Sequence, residues 1–431
     1  MNPVSDIIFA FDPALDRPIP APEGAPVAIV EAIATAPAEA VAAAAAEARR
    51  SGAAALVLCG RILDPRRASP AQAAAFRRMV VDLATNGCRT IVVDDDTAAC
   101  HEVARMLGEP QGLAFVTAAA PLRLDIRGLA VELVSAHGPV GAAVPADADS
   151  IGTAPLHRRI VIGWDTALWH ADRWAGGLEG HHDGHHREAA GLTPTAFAAA
   201  AAASPAWSEP GAFWIWGSRR RQHLPVGVHH LPALQERSGH ETVAGSCCGL
   251  TLLDRDDTQP AAGRRFAAPL SDWRASWREI PTHRVAWRTV TIESPAGGDE
   301  ELATAIWAAL EGVGSGGNAA LEIVRCSIEC GTSVARRVRV AEIAAETLAR
   351  LRQLYDPKTF RVWCREVFAS PGESLAALGH ARSGGRPGTT TSFSSALADI
   401  VAAIEQSPTP AIPPDLAREA GWLALELVES S

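Results

Sequence analysis

Short apolar segments alternate with longer helical segments through the N-terminal part of the chain, and this alternation constrains the fold more than any other feature. Apolar segments typical of buried strands cover residues 6–12, 54–59 and 90–93. Alanine-rich helical segments cover residues 26–50 and 72–85 between them. A helix between two strands favours parallel pairing of those strands within one layered sheet. The sequence therefore predicts an α/β layer sandwich with an at least partly parallel sheet.

The following segments extend this pattern with more strands and fewer helices. In the first helix we expect Val27, Ile29, Val30 and Ile33 to face the core, because their spacing follows one helical face. The segments from residue 113 to 134 have no helix between them, so we expect a mixed sheet that closes on itself. The further strands that we predict for this sheet cover residues 113–116, 122–126, 129–134, 159–164, 213–217, 249–253 and 285–292.

The size and charge of the chain limit the classes of function. A chain of 431 residues can bury a large core and divide into two or three domains. Its formal net charge of -10 argues against general electrostatic capture of nucleic acid. A local basic patch is still compatible with that net charge.

The compartment follows from the cysteines and from the apolar segments. None of the eight cysteines forms a CxxC pair, and several lie in strand-like segments, so we expect free, buried thiols in a reducing cytoplasm. We see no apolar run of membrane-spanning length and no signal peptide. These observations predict a cytoplasmic protein with no membrane partner.

The composition changes after residue 292, which indicates a domain boundary. The Gly297–Asp299 turn is followed by a small α/β unit, then by a Gly- and Ser-rich linker and two short helices. In that unit we predict helices at 300–310 and 340–354 and strands at 321–328 and 360–368. In the tail we predict a linker over 371–392 and helices at 394–406 and 414–428.

The segment from Phe213 to Thr242 resembles the SbcD-type DNA-repair exonucleases of the calcineurin-like metallophosphoesterase family. Its strand reads Phe-Trp-Ile-Trp-Gly-Ser-Arg-Arg-Arg-Gln, and Gln-Glu-Arg-Ser-Gly-His-Glu-Thr begins at Gln235. In the family the corresponding strand ends in Gly-His-x-His-Arg-Arg-Gln, and Gln-x-Arg-x-x-x-Glu-Thr follows. The resemblance covers roughly residues 5 to 370. It implies a calcineurin-like phosphoesterase layered sandwich, with mixed β-sheets flanked by helices, a small α/β capping domain and C-terminal helices.

Family chemistry uses two divalent ions, such as Mn²⁺ or Zn²⁺, that activate water for an in-line displacement at phosphorus. The resemblance places the ligand motifs on loops that follow successive strands. In this chain most of those positions carry other residue types, so we expect no resident metal and no two-metal hydrolysis. The former site positions are Asp12, Ala14, Arg61, Asp95, Asp96, Asp165, Ser218 and Arg220.

Arginine at position 61 is the most consequential of these differences. It stands where the family has the carboxylate that bridges the two ions, and a guanidinium neither ligates a metal nor loses its proton. At about 4 Å, a dication and a guanidinium repel by roughly 8 kcal/mol at an effective dielectric constant near 20. We therefore hypothesise that Arg61 and Arg220 occupy the former metal volume and pair with Asp12 and with Asp95 or Asp96.

Several residues admit a structural interpretation beside the functional one. Residues Asp94–Asp96 either form a strand-end turn and helix cap or pair with Arg61. The arginines at 219, 220 and 221 form either a solvated face or a phosphate-contacting patch, since guanidinium groups match phosphate oxygens. The residues Gln235, Arg237 and Glu241 match the family spacing, and we interpret them as structural polar contacts; Arg237 is also a candidate for substrate binding.

The histidine tract in the Gly-rich excursion over 174–210 offers the main alternative. Its residues His181, His182, His185 and His186 could bind a transition metal together with Asp12, Asp95 and Asp96. A Gly-flanked tract has no fixed geometry, however, and we interpret it as a solvated loop. The alternative function is thus an active phosphoesterase or nuclease with a rebuilt Mn²⁺ or Zn²⁺ site.

The sequence gives the following organisation and leading hypothesis. We predict a metallophosphoesterase-like core over 1–293, a capping domain over 298–370, a linker over 371–392 and C-terminal helices over 393–431. The resemblance implies a hydrolytically silent binding or scaffold subunit in DNA repair. Its partners would be an SbcC-type SMC-like ATPase, contacted by the C-terminal helices, and DNA; a homodimer is left open.

Overall fold

The computed structural model describes the chain in several stretches, which form two compact units. The first unit contains the described residues up to Ala286 except 22–25, and the second contains 22–25 and those from Trp287 onward. The described residues are 5–117, 119–136, 158–164, 212–219, 224, 228–237, 244–253, 274–293, 299–314, 319–329, 334–354 and 361–370.

The described residues contain fourteen strands and five helices, numbered here in chain order. The strands are β1 (Ile7–Phe11), β2 (Ala55–Cys59), β3 (Arg89–Val93), β4 (Leu113–Val116), β5 (Leu122–Ile126), β6 (Leu129–Ser135), β7 (Arg158–Trp164), β8 (Ala212–Ser218), β9 (Val228–Pro232), β10 (Ser246–Leu253), β11 (Arg274–Pro281), β12 (Val285–Glu293), β13 (Leu321–Glu329) and β14 (Val362–Ser370). The helices are α1 (Val27–Ser51), α2 (Pro70–Thr85), α3 (Thr97–Leu107), α4 (Asp299–Gly314) and α5 (Val334–Leu354).

The first unit holds two sheets rather than one. A six-stranded sheet has the order β11-β10-β1-β2-β3-β4, with β1 to β4 parallel and β10 and β11 antiparallel. A five-stranded sheet has the order β5-β6-β7-β8-β9 and is parallel from β6 onward. The α/β class with mixed and parallel sheets flanked by helices is confirmed. The prediction of one mixed sheet closing on itself is wrong, because β4 ends the first sheet and the β5–β6 hairpin begins the second.

Local sequence signals explain the ends of the helices that cover the first sheet. The side chain of Ser69 accepts the N–H of Gln72, whose side chain in turn accepts the N–H of Ser69, so a capping box begins α2. Asp96 caps the start of α3. Gly52 ends α1 in the left-handed conformation, which costs glycine little.

The two faces of β1 divide the core of the first unit. Ile8 and Ala10 pack in one cluster with alanines of α1 and with apolar residues of α2. On the other face, Phe9 contacts Trp277 and Phe11 approaches β8 of the second sheet. The six-stranded sheet is therefore covered on both faces, which explains why all five residues of β1 are buried.

The buried face of α1 differs from the one that we predicted. Ile29 and Ile33 are buried as expected, but Val27 and Val30 are 72% and 42% exposed. Small residues such as Ala40 and Ala44 form most of the buried face instead, and they allow the helix to approach the sheet closely. By length and composition α1 could cross a membrane, so the expectation that no apolar run reaches that length is wrong.

Two strands of the first unit were missed by the sequence analysis. Strand β9 carries His229 and His230 in its middle, so its pattern is not apolar enough to be recognised. Strand β11 lies in a Trp- and Arg-rich segment that we interpreted as a connection. It pairs with β10 over eight residue positions, from Ser246↔Pro281 to Leu253↔Arg274.

The second unit contains a three-stranded sheet in the order β12-β13-β14, with α4 and α5 packed on it. Strands β13 and β14 are parallel, and their register shifts between Val324 and Arg325. The prediction that strand 285–292 completes the core sheet is wrong, because β12 belongs to the three-stranded sheet of the second unit. The chain passes from one unit to the other between Ala286 and Trp287.

The predictions about cysteines can be compared with seven of the eight. Each cysteine in the described ranges is free and buried: Cys59, Cys88, Cys100, Cys247, Cys248, Cys326 and Cys364. The excursion over 174–210, the linker over 371–392 and the helices predicted over 393–431 lie outside the described residues.

Candidate functional site

Four turns of the first unit meet where strands end. Strands β1, β2 and β3 are parallel neighbours, so the residues that follow them lie along the same edge of the sheet. The end of β8 reaches this edge from the second sheet, since Gly217 lies against the ring of Phe11. This geometry brings together Asp12, Arg61, residues 94–96 and Arg219.

A buried carboxylate shared by two guanidinium groups forms the centre of the site. The Oδ2 atom of Asp12 accepts a hydrogen bond from Nε of Arg219 at 2.7 Å and lies 2.6 Å from its Nη2. The Nε atom of Arg237 lies 3.5 Å from the same oxygen. The side chain of Asp12 is only 1% exposed, and those of Arg219 and Arg237 are 14% and 9% exposed. We call these three residues the Asp12 cluster.

Arg237 also fixes the backbone of the turn that follows β1. Its Nη1 donates to the carbonyl oxygen of Arg17 at 2.9 Å, and its Nη2 donates to that of Ala14 at 2.9 Å. Asp12 and Ala14 have φ angles of 54° and 31°, a left-handed conformation that is costly for residues other than glycine. The guanidinium of Arg237 therefore holds a strained turn in place while it compensates the charge of Asp12.

The pairing hypothesis is correct for Arg61 and needs a correction at Asp12. The Nη2 atom of Arg61 lies 3.6 Å from Oδ2 of Asp96. The partners of Asp12 are Arg219 and Arg237 in the described chain; Arg220, which we predicted there, lies outside the described residues together with Arg221. Because Arg219 is mostly buried and ion-paired, the interpretation of Arg219 as part of a solvated face is wrong.

Both interpretations of the Asp94–Asp96 segment apply at once. Oδ1 of Asp96 accepts the N–H of Ala99 at 2.9 Å and thereby caps α3, while its other oxygen faces Arg61. Asp95, the residue that we proposed as a surviving oxygen ligand, is exposed. The segment therefore begins a helix and carries an ion pair in the same three residues.

Asp94 is the residue of this segment that the sequence analysis missed. It is buried, and its Oδ1 accepts the N–H of Asp96 at 3.1 Å. Burial and, after it, a hydrogen bond with the side chain of Asp95 raise the pKa of Asp94 to about 7. The sequence places three consecutive aspartates directly after a buried strand, but it does not indicate which of the three is buried.

Gln235 makes structural polar contacts, as we predicted for this residue. Its Oε1 accepts the N–H of Arg284 at 2.7 Å, and its Nε2 donates to the carbonyl oxygen of Val285 at 2.6 Å. Its side chain is buried and joins the turn after β9 to the start of β12. Glu241 lies outside the described residues.

The remaining candidate positions divide into buried and undescribed ones. Ala14 and Ser218 are fully buried, and Ala14 offers no ligand atom. Asp165 and the tract His181–His186 lie outside the described residues. Within the part of the chain that the structure describes, no group of three or more His, Cys, Asp or Glu side chains is arranged to hold a metal ion.

The charges of the site nearly cancel. The Asp12 cluster carries one net positive charge from two guanidinium groups and one carboxylate, and Arg61 is balanced by Asp96. Such an arrangement can hold the turns of several strands together and can offer guanidinium N–H groups to an anion. It offers little attraction to a dication.

The chain defines a mixed α/β protein whose strand-end turns carry an ion-paired site. Comparison with known proteins adds no closer assignment, since no protein-family model matches the chain and no curated protein matches it at a significant level.

Proposed function

We propose that this protein is a hydrolytically silent relative of the calcineurin-like metallophosphoesterases of the SbcD type, which acts as a binding or scaffold subunit in DNA repair. The observation that carries the proposal is the engagement of the Asp12 carboxylate by Arg219 and Arg237. In an active member of that family, the corresponding aspartate would be a metal ligand.

The arrangement of the strands supports the family assignment. Two sheets lie together in the first unit, helices cover the outer face of one of them, and the polar turns follow β1, β2, β3 and β8. This mixed α/β arrangement is compatible with the layered sandwich that the resemblance implies, and the polar turns follow strand ends, as the ligand motifs of the family do. The motif around Gly217 also lies at the end of a strand, as the resemblance requires.

Electrostatics supports the loss of hydrolysis. A divalent ion beside Asp12 would have to displace a guanidinium that lies within 2.7 Å of the same oxygen. The displaced arginine would lose a charge-assisted hydrogen bond, which is about twice as strong as a neutral one. Arg61 would add repulsion at the position of the bridging carboxylate. We therefore propose that Asp12 serves the stability of the site rather than metal binding.

A scaffold role accounts for a framework that persists without its metal ligands. The proposed partners are an SMC-like ATPase of the SbcC type, contacted through residues 393–431, and DNA, contacted through Arg220 and Arg221. An adjacent gene that encodes a long coiled-coil ATPase would support this partner.

The first experiment measures metal content and turnover together. The purified chain is dialysed against Mn²⁺ or Zn²⁺, and its metal content is quantified by elemental analysis. Hydrolysis of linear DNA and of a small phosphodiester is then measured. We expect substoichiometric metal and no turnover above that of the Asp12→Ala variant. Stoichiometric metal and turnover that both disappear in Asp12→Ala would establish the alternative, an active phosphoesterase with a rebuilt site.

A second experiment tests the scaffold role directly. The full chain and a chain that ends at residue 392 are each mixed with the coiled-coil ATPase of the same genome, and complex formation is measured by analytical ultracentrifugation. We expect a complex with the full chain and at least a tenfold weaker one with the shortened chain. No complex with either chain would refute the proposed partner while leaving the loss of hydrolysis untouched.

A further inference from the structure

The second unit contains two buried thiols on neighbouring strands. Cys326 lies on β13 and Cys364 on β14, and both belong to the core cluster that packs against α4 and α5. Cα pairing runs from Val324↔Cys364 to Cys326↔Val367 across the register shift between the two strands. The two thiols are hydrogen-bonded to each other. They therefore face the same side of the sheet and touch.

No other pair of cysteines in the described ranges has this arrangement. Cys59 and Cys248 both flank β1, because Cys59 pairs with Phe11 and Cys248 pairs with Phe9. One strand thus separates them, which puts them about two strand spacings, or roughly 9.6 Å, apart. Cys247 and Cys248 are consecutive in β10, so their side chains point to opposite faces. Among the seven cysteines that the structure describes, only Cys326 and Cys364 combine neighbouring strands with a common face.

We propose that Cys326 and Cys364 form a reversible disulfide between β13 and β14 when the protein meets a peroxide. This redox-sensitive cross-link lies in the second unit and does not depend on the function proposed for the strand-end site. It converts two core thiols into a covalent connection between neighbouring strands of the three-stranded sheet.

The reaction proceeds in two balanced steps. The thiolate of Cys326 attacks one oxygen of hydrogen peroxide, which gives a sulfenic acid at Cys326 and releases hydroxide. The thiol of Cys364 then attacks the sulfenic sulfur, forms the S–S bond and gives its proton to the departing hydroxyl group, which leaves as water. The proton that Cys326 lost when it ionised neutralises the hydroxide of the first step. Two thiols are oxidised and one peroxide is reduced to two waters. A dithiol reductant reverses the process.

The roles of the two cysteines follow from their hydrogen bond. The side-chain hydrogen bond between the two thiols lowers the pKa of Cys326 despite its burial. The same contact, together with burial, raises the pKa of Cys364. Because the thiolate is the nucleophile, Cys326 reacts first and Cys364 resolves the sulfenic acid.

Access to the thiols comes through the edge of the sheet. Cys326 and Cys364 are 0% and 6% exposed, so an oxidant must wait for a local opening. Strand β14 is an edge strand of the three-stranded sheet, and edge elements open at lower free energy than central ones. We therefore expect oxidation that is slow but complete, with a rate that rises under mild denaturant.

The test uses the full reduced chain and hydrogen peroxide as the probe. After oxidation, free thiols are blocked under denaturing conditions and the protein is digested without reductant for mass spectrometry. We expect one cross-linked peptide pair that contains Cys326 and Cys364, a loss of two free thiols per chain and full recovery with dithiothreitol. A higher unfolding temperature of the oxidised protein should accompany the cross-link, because a disulfide restricts the unfolded chain.

Matched variants make the assignment specific. Cys326→Ala and Cys364→Ala should each abolish the cross-linked pair, whereas Cys330→Ser, close in sequence, should retain it. A cross-link of Cys326 to Cys330, a cross-link between chains, or two thiols that remain free after prolonged oxidation would each overturn the proposal. The peptide map of the wild-type chain decides the question even if a variant fails to fold.

Discussion

The side chain of Asp12 illustrates how one residue connects distant parts of the chain. Its partner Arg219 lies 207 residues further along the sequence, and both side chains are largely removed from water. A buried ion pair contributes little net stability when it is complete, because desolvation offsets the attraction. Loss of one partner is costly, since it leaves a buried charge without compensation. The energetics of the Asp12 cluster therefore become visible only when one member is removed.

Arg237→Ala should be the most destabilising single change in the Asp12 cluster. It removes one counter-charge of Asp12 and the donors of the carbonyl groups of Ala14 and Arg17. We expect the free energy of unfolding to fall by about 3 to 5 kcal/mol. Arg219→Ala should cost less, about 1 to 3 kcal/mol, because Arg237 stays near the carboxylate. Urea unfolding followed by tryptophan fluorescence measures both.

Two controls separate charge from packing in this experiment. Arg78→Ala removes an exposed guanidinium from α2 and should change the stability by less than about 0.5 kcal/mol. Asp12→Asn in the Arg219→Ala background removes the uncompensated charge and should restore part of the loss. Equal costs for Arg78→Ala and Arg237→Ala would contradict the account of the Asp12 cluster.

Asp94 gives the protein a dependence of stability on pH. Burial raises the pKa of Asp94 from 3.8 to about 7, so the folded chain keeps a proton that the unfolded chain has released between these values. The contribution of Asp94 to stability is thus complete below pH 3.8 and is lost as the pH rises through about 7. Asp94→Asn keeps an acceptor for the N–H of Asp96 and removes the titration. At pH 8 we expect this variant to be more stable than the wild type by on the order of 3 kcal/mol.

The measurement compares urea midpoints of the wild type and the variant from pH 4.5 to 8. The difference between the two curves, rather than either curve alone, reports Asp94, because paired carboxylates elsewhere respond with the opposite sign. Asp125→Asn is the control: its carboxylate accepts the N–H of Gly128 at 2.8 Å on an exposed turn. A difference curve that is flat across the whole range would show that Asp94 titrates normally.

At the scale of elements, the approach of β8 to β1 decides whether the site assembles. A Cβ atom at Gly217 would lie 2.6 Å from Cδ2 and 2.9 Å from Cε2 of Phe11. These distances are shorter than van der Waals contact, so only glycine permits the end of β8 to lie against β1. The position of Arg219 beside Asp12 depends on that approach, because Arg219 follows directly after β8.

Gly217→Ala should therefore destabilise the protein by about 1 to 3 kcal/mol through overpacking. It should also separate Arg219 from Asp12, so that Arg219→Ala costs less in the Gly217→Ala background than in the wild type. Urea unfolding of the two single variants and the double variant gives this coupling. Gly312→Ala in α4 is the control of opposite sign: its surroundings are open, and alanine should gain about 0.5 to 1 kcal/mol. Additive costs for positions 217 and 219 would contradict the coupling.

The elements that the sequence predicted correctly are those whose signals are local. Strands β1, β2 and β3 come from short apolar segments, and the helix cap that we gave as one alternative for Asp94–Asp96 is made by Asp96 through a hydrogen bond within three residues. The missed strand β11 is defined by pairing with β10, and its polar composition gave no local signal. Val27 and Val30 were placed in the core by helical periodicity, yet the sheet takes the alanine face of α1 because small residues pack more closely.

At the scale of the whole molecule, the features that could not be predicted from the sequence are those that depend on contacts between residues far apart in the chain. The loops that bear Asp12, Arg61 and Asp96 could be placed at one sheet edge, because parallel strands share their ends. The partner of Asp12 could not be predicted, because the choice among three consecutive arginines depends on the direction of the chain after β8. The assignment of β12 failed for a similar reason. A strand that starts at the end of one unit has the same apolar pattern whichever sheet it joins.

The shared oxygen of Asp12 has a consequence for how this chain can change over time. Two guanidinium groups share one carboxylate, so we expect no single substitution at position 12, 219 or 237 to be neutral. Each would leave a charge without compensation or remove the contacts that hold the left-handed turn. We therefore expect related sequences either to keep all three residues or to have replaced all three.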